Sequence, residues 1–292
     1  MKTYPVISID IAALQQNLKY IKQLAPNSQV ISVIKANAYG HGHIEVAHAL
    51  DDSDAFAVAR LSEALELRQA GIKHKIILLE GVNTAADLQT AADHDLSLVF
   101  HHPSQIDLLE TTHITKLLSF CWLMVETGMH RLGISSDNVA KTLEAISRSE
   151  KIADPVGLMS HFANADLVDD PRNQIQLDKV LSCVDTKHEI SMANSAAILS
   201  FPDSHQQWLR PGLMLYGVSP FDDKTATDLG LKPVMQLKSV ITSIQQISKG
   251  DQVGYGGDWT ASGGQTVGIV SIGYGDGYSR HLSGVGQVLI NG

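Results

Sequence analysis

Two side chains able to do covalent or proton-transfer chemistry, Lys35 and Tyr255, stand out, with a third, Arg210, able to hold a fixed charge. Lys35 follows the largely β-branched run Val30-Ile31-Ser32-Val33-Ile34 and opens Lys35-Ala36-Asn37-Ala38-Tyr39-Gly40-His41-Gly42. Small residues there let a ligand approach the backbone, and Tyr39 adds a hydroxyl. A lysine in apolar surroundings has its ammonium form disfavoured, which frees the amine to attack a carbonyl and form an imine. Tyr255 lies between Gly254 and Gly256, and Arg210 precedes Pro211 and Gly212. Standing alone, each has a plainer reading: a lysine snorkelling from a strand end, a turn tyrosine, a surface arginine.

Such groups act together only if the chain brings them to one place. Up to about residue 225, short apolar runs alternate with helical stripes. Ile11, Leu14, Leu18 and Ile21 fall on one helix face, and residues 30–34 form the strand that delivers Lys35. Further strands are expected at 55–59, 75–80, 96–100, 117–125, 156–160 and 209–212, with helices such as 61–70 and 138–147 between them. Repeated strand and helix units make a parallel sheet, and this many favour a closed (β/α)8 TIM-like barrel over an open doubly wound sheet. A barrel gathers its reactive groups at the C-terminal ends of its strands. Beyond residue 232 the texture changes to β-rich runs at 234–247 and 266–272, separated by Gly-rich turns. The expected organisation is therefore an α/β barrel at 1–225 and a β-rich C-terminal domain at 226–292, to which residues 1–10 could add a strand. Residues 288–292 read as a strand entering an Asn291-Gly292 hairpin turn with no partner strand to follow, so the C-terminal domain reads as truncated.

Composition narrows the partners. Hydrophobic residues make up 44% and charged ones 18%, a globular balance. The 22 basic against 31 acidic residues leave a net charge of -9, which repels phosphate backbones and anionic membranes. Neither nucleic acid nor membrane is expected as a partner. No run of 18 apolar residues and no signal-peptide pattern occurs, and Cys121 and Cys183 are too few for a disulfide framework. Together these point to the cytoplasm. His41 and His43, and the pair His101-His102, lack further ligands at metal-site spacing, so no metal is expected. The glycine-rich turns at 254–257 and 273–277 do not lead from a strand into a helix, as dinucleotide or P-loop sites require.

The stretch opened by Lys35 resembles the cofactor-lysine signature of the alanine racemase family, fold-type III enzymes that use pyridoxal 5'-phosphate. The likeness continues in family order through Thr127-Gly128-Met129-His130-Arg131-Leu132-Gly133, His161-Phe162-Ala163, Asn194-Ser195, Leu209-Arg210-Pro211-Gly212, Gly254-Tyr255-Gly256 and Gly273-Tyr274-Gly275-Asp276-Gly277-Tyr278. It implies that Lys35 carries the cofactor and serves as base on one face of the substrate Cα. Tyr255, entering from the other subunit of a homodimer, serves the opposite face. Racemisation needs two such groups, because one base working on one side only regenerates the starting enantiomer. A tyrosine of ordinary pKa, about 10, is a feeble base, and by resemblance His161, touching Arg210, supports its phenolate. Arg210 would face the pyridine nitrogen and leave it unprotonated, since a guanidinium keeps its proton. Tyr39, Ser195 and the backbone amides of Gly212 and Leu213 would hold the phosphate, with Asn194 beside them. Arg131 would anchor the substrate carboxylate, near Tyr255 and Tyr274. The implied reaction is interconversion of L- and D-alanine, with a different or broader amino-acid specificity as the alternative.

Two features depart from the family pattern. Many members carry a carbamylated lysine seven residues before the carboxylate-binding arginine; here Met124 stands there, and a thioether cannot orient a guanidinium. The family's further C-terminal residues, including a tyrosine on the phosphate and a methionine near the substrate, are absent. A decarboxylase with a similar barrel would place a carboxylate at Arg210, and a noncatalytic carrier would lack Tyr255. A truncated chain that binds the cofactor with little activity is the remaining alternative.

Overall fold

The structure, a computed structural model, describes residues 4–183 and 187–291. Lys2 and Gly292, the last residue of the expected terminal turn, lie outside them. The chain divides into two compact units, Asp10–Val234 and Met1–Ile9 with Met235–Gly292.

The first unit opens with helix α1, Ile11–Leu24. The Asp10 carboxylate caps it by accepting from Ala13 N at 2.9 Å, and Ala13, Leu14, Leu18 and Ile21 form its buried stripe. Asn17 interrupts that stripe without an unpaired polar group. Its amide donates to Leu215 O and Lys232 O, and its oxygen accepts from Lys232 N. Eight strands then follow in barrel order: β1 Gln29–Val33, β2 Ala55–Val58, β3 Lys75–Leu78, β4 Leu96–Phe100, β5 Trp122–Glu126, β6 Gly157–Met159, β7 Ile190–Ser191 and β8 Trp208–Leu209. All pair in parallel, and β8 returns to β1 through Trp208 beside Gln29, which closes the sheet. A short strand, Ile134–Ser135, extends beside β5. The helices between strands are α2 His43–Ala49, α3 Leu61–Gln69, α4 Ala85–Asp93, α5 Pro103–Thr111, α6 Val139–Arg148, α7 Arg172–Leu181 and α8 Ser195–Ser200.

Alternate strand residues fill the barrel, as a period of two demands: Ile31 and Val33, Ala55 and Ala57, Trp122 and Met124 belong to one buried cluster with Ile77, Val99, Met159 and Trp208. Phe120, Trp122 and Trp208 meet edge to face at 4.8 to 6.2 Å between ring centres. Gly157 makes room for them, because a Cβ there would stand 2.6 Å from the Trp122 ring. The tryptophan plug closes the barrel interior below the strand ends, where the reactive residues lie.

The second unit is built from short antiparallel pairs. Val6–Ile9 pairs with Met235–Lys238, Ile241–Ile247 with Gln265–Val270, and Gln252–Val253 with Trp259–Thr260. Tyr255–Gly257 and Tyr274–Asp276 are 3-10 turns. Gly254 and Gly256 adopt φ of 83° and 73°, which explains why glycine flanks Tyr255. The expected strand at 288–291 does not form. A strand requires a hydrogen-bonded neighbour, and no described segment pairs with these exposed residues.

Candidate active site

Lys35 leaves β1 at its C-terminal end and is followed by a single left-handed turn: Ala36, Asn37, Ala38 and Tyr39 all have φ between 52° and 55°. For L-residues each such conformation costs about 1–2 kcal/mol, so neighbouring groups must hold the turn. The Glu63 carboxylate at the start of α3 accepts from Ala36 N at 2.6 Å, Ala59 N at 2.9 Å and Arg60 N at 3.0 Å. On the other side, the Asn37 side-chain oxygen accepts from both the backbone and ring nitrogens of His43, each at 3.0 Å. No carboxylate pairs with Lys35 among the described residues, which leaves its amine uncommitted.

The turn swings Tyr39 over Tyr216, with ring centres 5.0 Å apart, and burial raises the Tyr39 pKa, keeping its hydroxyl a donor. Gly212 lies beneath that hydroxyl; an added Cβ would come within 2.8 Å of it. Ser195 Oγ accepts from Gly212 N at 3.0 Å and Met214 N at 3.3 Å, so its own proton is left to donate elsewhere. Leu213 opens a short helical turn, a position whose amide has no partner within the turn. Asn194 caps α8 through Ala197 N at 3.1 Å and also lines the cavity.

Arg210, at the end of β8, is buried among acceptors rather than acids. One terminal nitrogen donates to Ser191 O at 2.6 Å and Ser191 Oγ at 2.7 Å; the other donates to Ser160 O and to His161 Nδ1. Of its five N–H groups, Nε–H alone has no protein partner among the described residues. Burial and then the charge of Arg131 push its pKa down to about 9, so it remains a cation at neutral pH. His161 is also shifted downward, and ends in the opposite charge state. Burial, reinforced by Arg210, Arg131 and Lys35, holds it well below its usual value, so the ring is neutral. Because Nδ1 accepts from Arg210, the ring proton sits on Nε2.

Arg131 lies in the loop after β5. Among the described residues no side chain takes the place of a carbamate beside its guanidinium, and Met124 contributes only an apolar wall. The loop is fixed through its backbone instead: Glu126 accepts from Gly128 N and from His130 N at 2.8 Å. Lys35, Tyr39, Arg131, His161, Asn194, Ser195, Arg210, Gly212 and Leu213 line one cavity of about 610 Å³, a size suited to a small cofactor with substrate. Tyr255 and Tyr274 belong to the second unit and are 96% and 73% exposed in the single chain.

These residues fit pyridoxal 5'-phosphate. An uncommitted amine suits its aldehyde, the hydroxyls of Ser195 and Tyr39 and the Leu213 amide suit its phosphate, and one spare guanidinium N–H suits its ring nitrogen. Sequence patterning alone missed Glu63 and Glu126, whose work is to hold backbone. The nearest signal was Glu63, three residues after Arg60 at the start of a helix, a capping-box spacing. The histidines that tempted a metal reading have local roles: His41 stacks on Tyr216, His43 bonds Asn37, and His102 caps α5.

Comparison with known proteins covers the chain from the barrel unit to its end. Residues 9–220 match the N-terminal domain of alanine racemase and residues 234–292 its C-terminal domain. An alanine racemase of Nitrosococcus oceani is 46% identical over 99% of this chain and 81% of its own length, and one of Shewanella sediminis is 42% identical over 100% and 82%. The biosynthetic alanine racemase of Pseudomonas aeruginosa superposes with a TM-score of 0.91 at 39% identity, covering 96% of this chain and 78% of that one. The Bartonella henselae alanine racemase, solved with covalently bound pyridoxal phosphate, gives 0.82 at 29% identity over 96% and 79%. This chain belongs to the alanine racemase family.

Proposed function

We infer that this protein is a pyridoxal 5'-phosphate dependent alanine racemase that works with two bases, Lys35 and the partner subunit's Tyr255, on opposite faces of the substrate Cα. Arg210 is the observation that carries the reading, because it offers one cavity a fixed cation with a single spare N–H. When bound, the cofactor ring withdraws electrons from Cα and acidifies its proton. Arg210 keeps its own proton and leaves the ring nitrogen unprotonated, which limits that withdrawal. Proton removal and return must then be prompt, and two pre-positioned bases provide this. Lys35 Nζ exchanges the proton on one face. The Tyr255 hydroxyl exchanges it on the other, and His161 Nε2–H stabilises the phenolate by donating to it. Arg131 holds the substrate carboxylate with its fork of donors. Tyr274 stands with Tyr255 on the side contributed by the partner.

The active species is a homodimer, supported by the 96% exposure of Tyr255 within one chain. Both cysteines are free, which supports a reducing, cytoplasmic setting. Incubating the purified holoenzyme with L-alanine in deuterated water tests the reaction. Both enantiomers should appear with deuterium at Cα and without carbon dioxide. Gas evolution, or unexchanged L-alanine, would overturn the assignment.

A further inference from the structure

Helix α7 turns two amide side chains inward from positions one turn apart, Asn173 and Gln176, which are 6% and 3% exposed. Asn173 holds the loop after β6 by donating to Asn164 O and Leu167 O. Gln176 reaches further. Its Nε2 donates to Thr127 Oγ1 and to His161 O, both at 3.1 Å, and its oxygen accepts from Ala163 N at 3.0 Å. It is thereby bonded at once to the loop after β5, which carries Arg131, and to the turn after β6, which carries His161.

One arrangement of protons satisfies every donor of this network. Ser160 Oγ donates to the Val125 carbonyl at 2.9 Å, so the Thr127 hydroxyl, 2.8 Å away, must be the donor to Ser160 Oγ. Thr127 Oγ1 is then free to accept from Gln176, and the second amide hydrogen of Gln176 goes to His161 O. Every donor has an acceptor, and reversing the Gln176 amide would set its oxygen against the His161 carbonyl. The neighbouring Ser160 carbonyl accepts from Arg210. The chain of bonds therefore runs from the Arg131 loop, through Gln176, to the peptide segment that holds both Arg210 and the His161 ring.

We propose that Gln176 is a positioning residue for racemisation, which locks the Arg131 loop and the His161 turn into one register so that carboxylate binding and phenolate support are set together. The proposal rests on the roles given above to Arg131 and His161. It adds a residue that touches neither substrate nor cofactor yet governs both.

Two variants of the full-length holoenzyme test it. Gln176→Met keeps the volume and removes all three bonds. It should raise KM for alanine and lower kcat together, each roughly tenfold or more. It should also shift the nitrogen NMR signal of His161, identified by its loss in His161→Asn, a readout that does not depend on turnover. Gln176→Glu has two acceptor oxygens when ionised and recovers one donor when protonated, so its KM should rise with pH along a limb that the wild type lacks. The proposal is overturned if both variants keep the wild-type KM, pH profile and His161 signal. It is equally overturned if they lose activity only in proportion to a lowered Tm. Absence of racemisation in the wild type would instead count against the assigned reaction, and the His161 signal would still report on the lock.

Discussion

Arg210 and His161 share a hydrogen bond yet are pushed to opposite purposes. The arginine, ringed by two carbonyls, a serine oxygen and an imidazole nitrogen, stays charged because acceptors replace lost water, although burial lowers its pKa to about 9. The histidine stays neutral because burial disfavours its charged form and the nearby cations add to that. Its folded pKa lies below the unfolded value of 6.5, so between the two the unfolded chain binds the extra proton. Stability from this site is therefore complete above the unfolded value and is lost as pH falls toward the folded one. Urea midpoints measured from pH 7.5 down to 5 should fall less steeply in His161→Asn than in the wild type. Equal slopes would show that His161 is not held neutral. Lys35, Tyr39, Ser195, Arg210 and Gly212 were legible as candidates because short sequence motifs carry them. Glu63 and Glu126 were not, since a carboxylate bonded to nearby amides carries at most a helix-start spacing as its signal, and Gln176 was not, since its partners are remote in sequence.

At the scale of elements, the left-handed turn after β1 is the costliest local feature, and the Glu63 carboxylate bonds to three amides around it. Glu63→Ala should lower stability by about 0.5–2 kcal/mol, the usual cost of removing a side chain that caps largely exposed backbone amides. It should also weaken cofactor retention, measured as visible absorbance lost on gel filtration. Unchanged retention would mean that the turn holds its shape without the clamp. Strand and helix alternation was readable where runs were long: 55–59, 75–80 and 96–100 correspond to β2, β3 and β4. Two shortfalls have physical causes. The run expected at 117–125 becomes β5 only from Trp122, because Phe120 takes a φ of 53° that breaks an extended chain, and Leu118 makes only an isolated bridge with Ile152. Strand β7 escaped notice because it is two residues long, too short for any periodicity. The turn itself was hidden because Ala36, Asn37 and Ala38 occupy conformations for which glycine is the usual marker.

For the whole molecule, the barrel unit gathers the cofactor residues in one cavity, while Tyr255 and Tyr274 stand exposed on the second unit. The motif marked Tyr255, and only the family resemblance supplied a target, since the role proposed for it across a subunit boundary would leave no contact within one chain to be read. Shared sites make a specific demand on mixed dimers. Lys35→Ala and Tyr255→Phe each spoil every site in their own homodimer. A hybrid carries one site with both changes and one with neither. Coexpressing the two variants, purifying the mixture and assaying alanine racemisation should restore about a quarter of the wild-type activity, since half of the randomly paired dimers are hybrids with one intact site. Activity no greater than the mean of the two separate variants would contradict bases supplied by separate subunits.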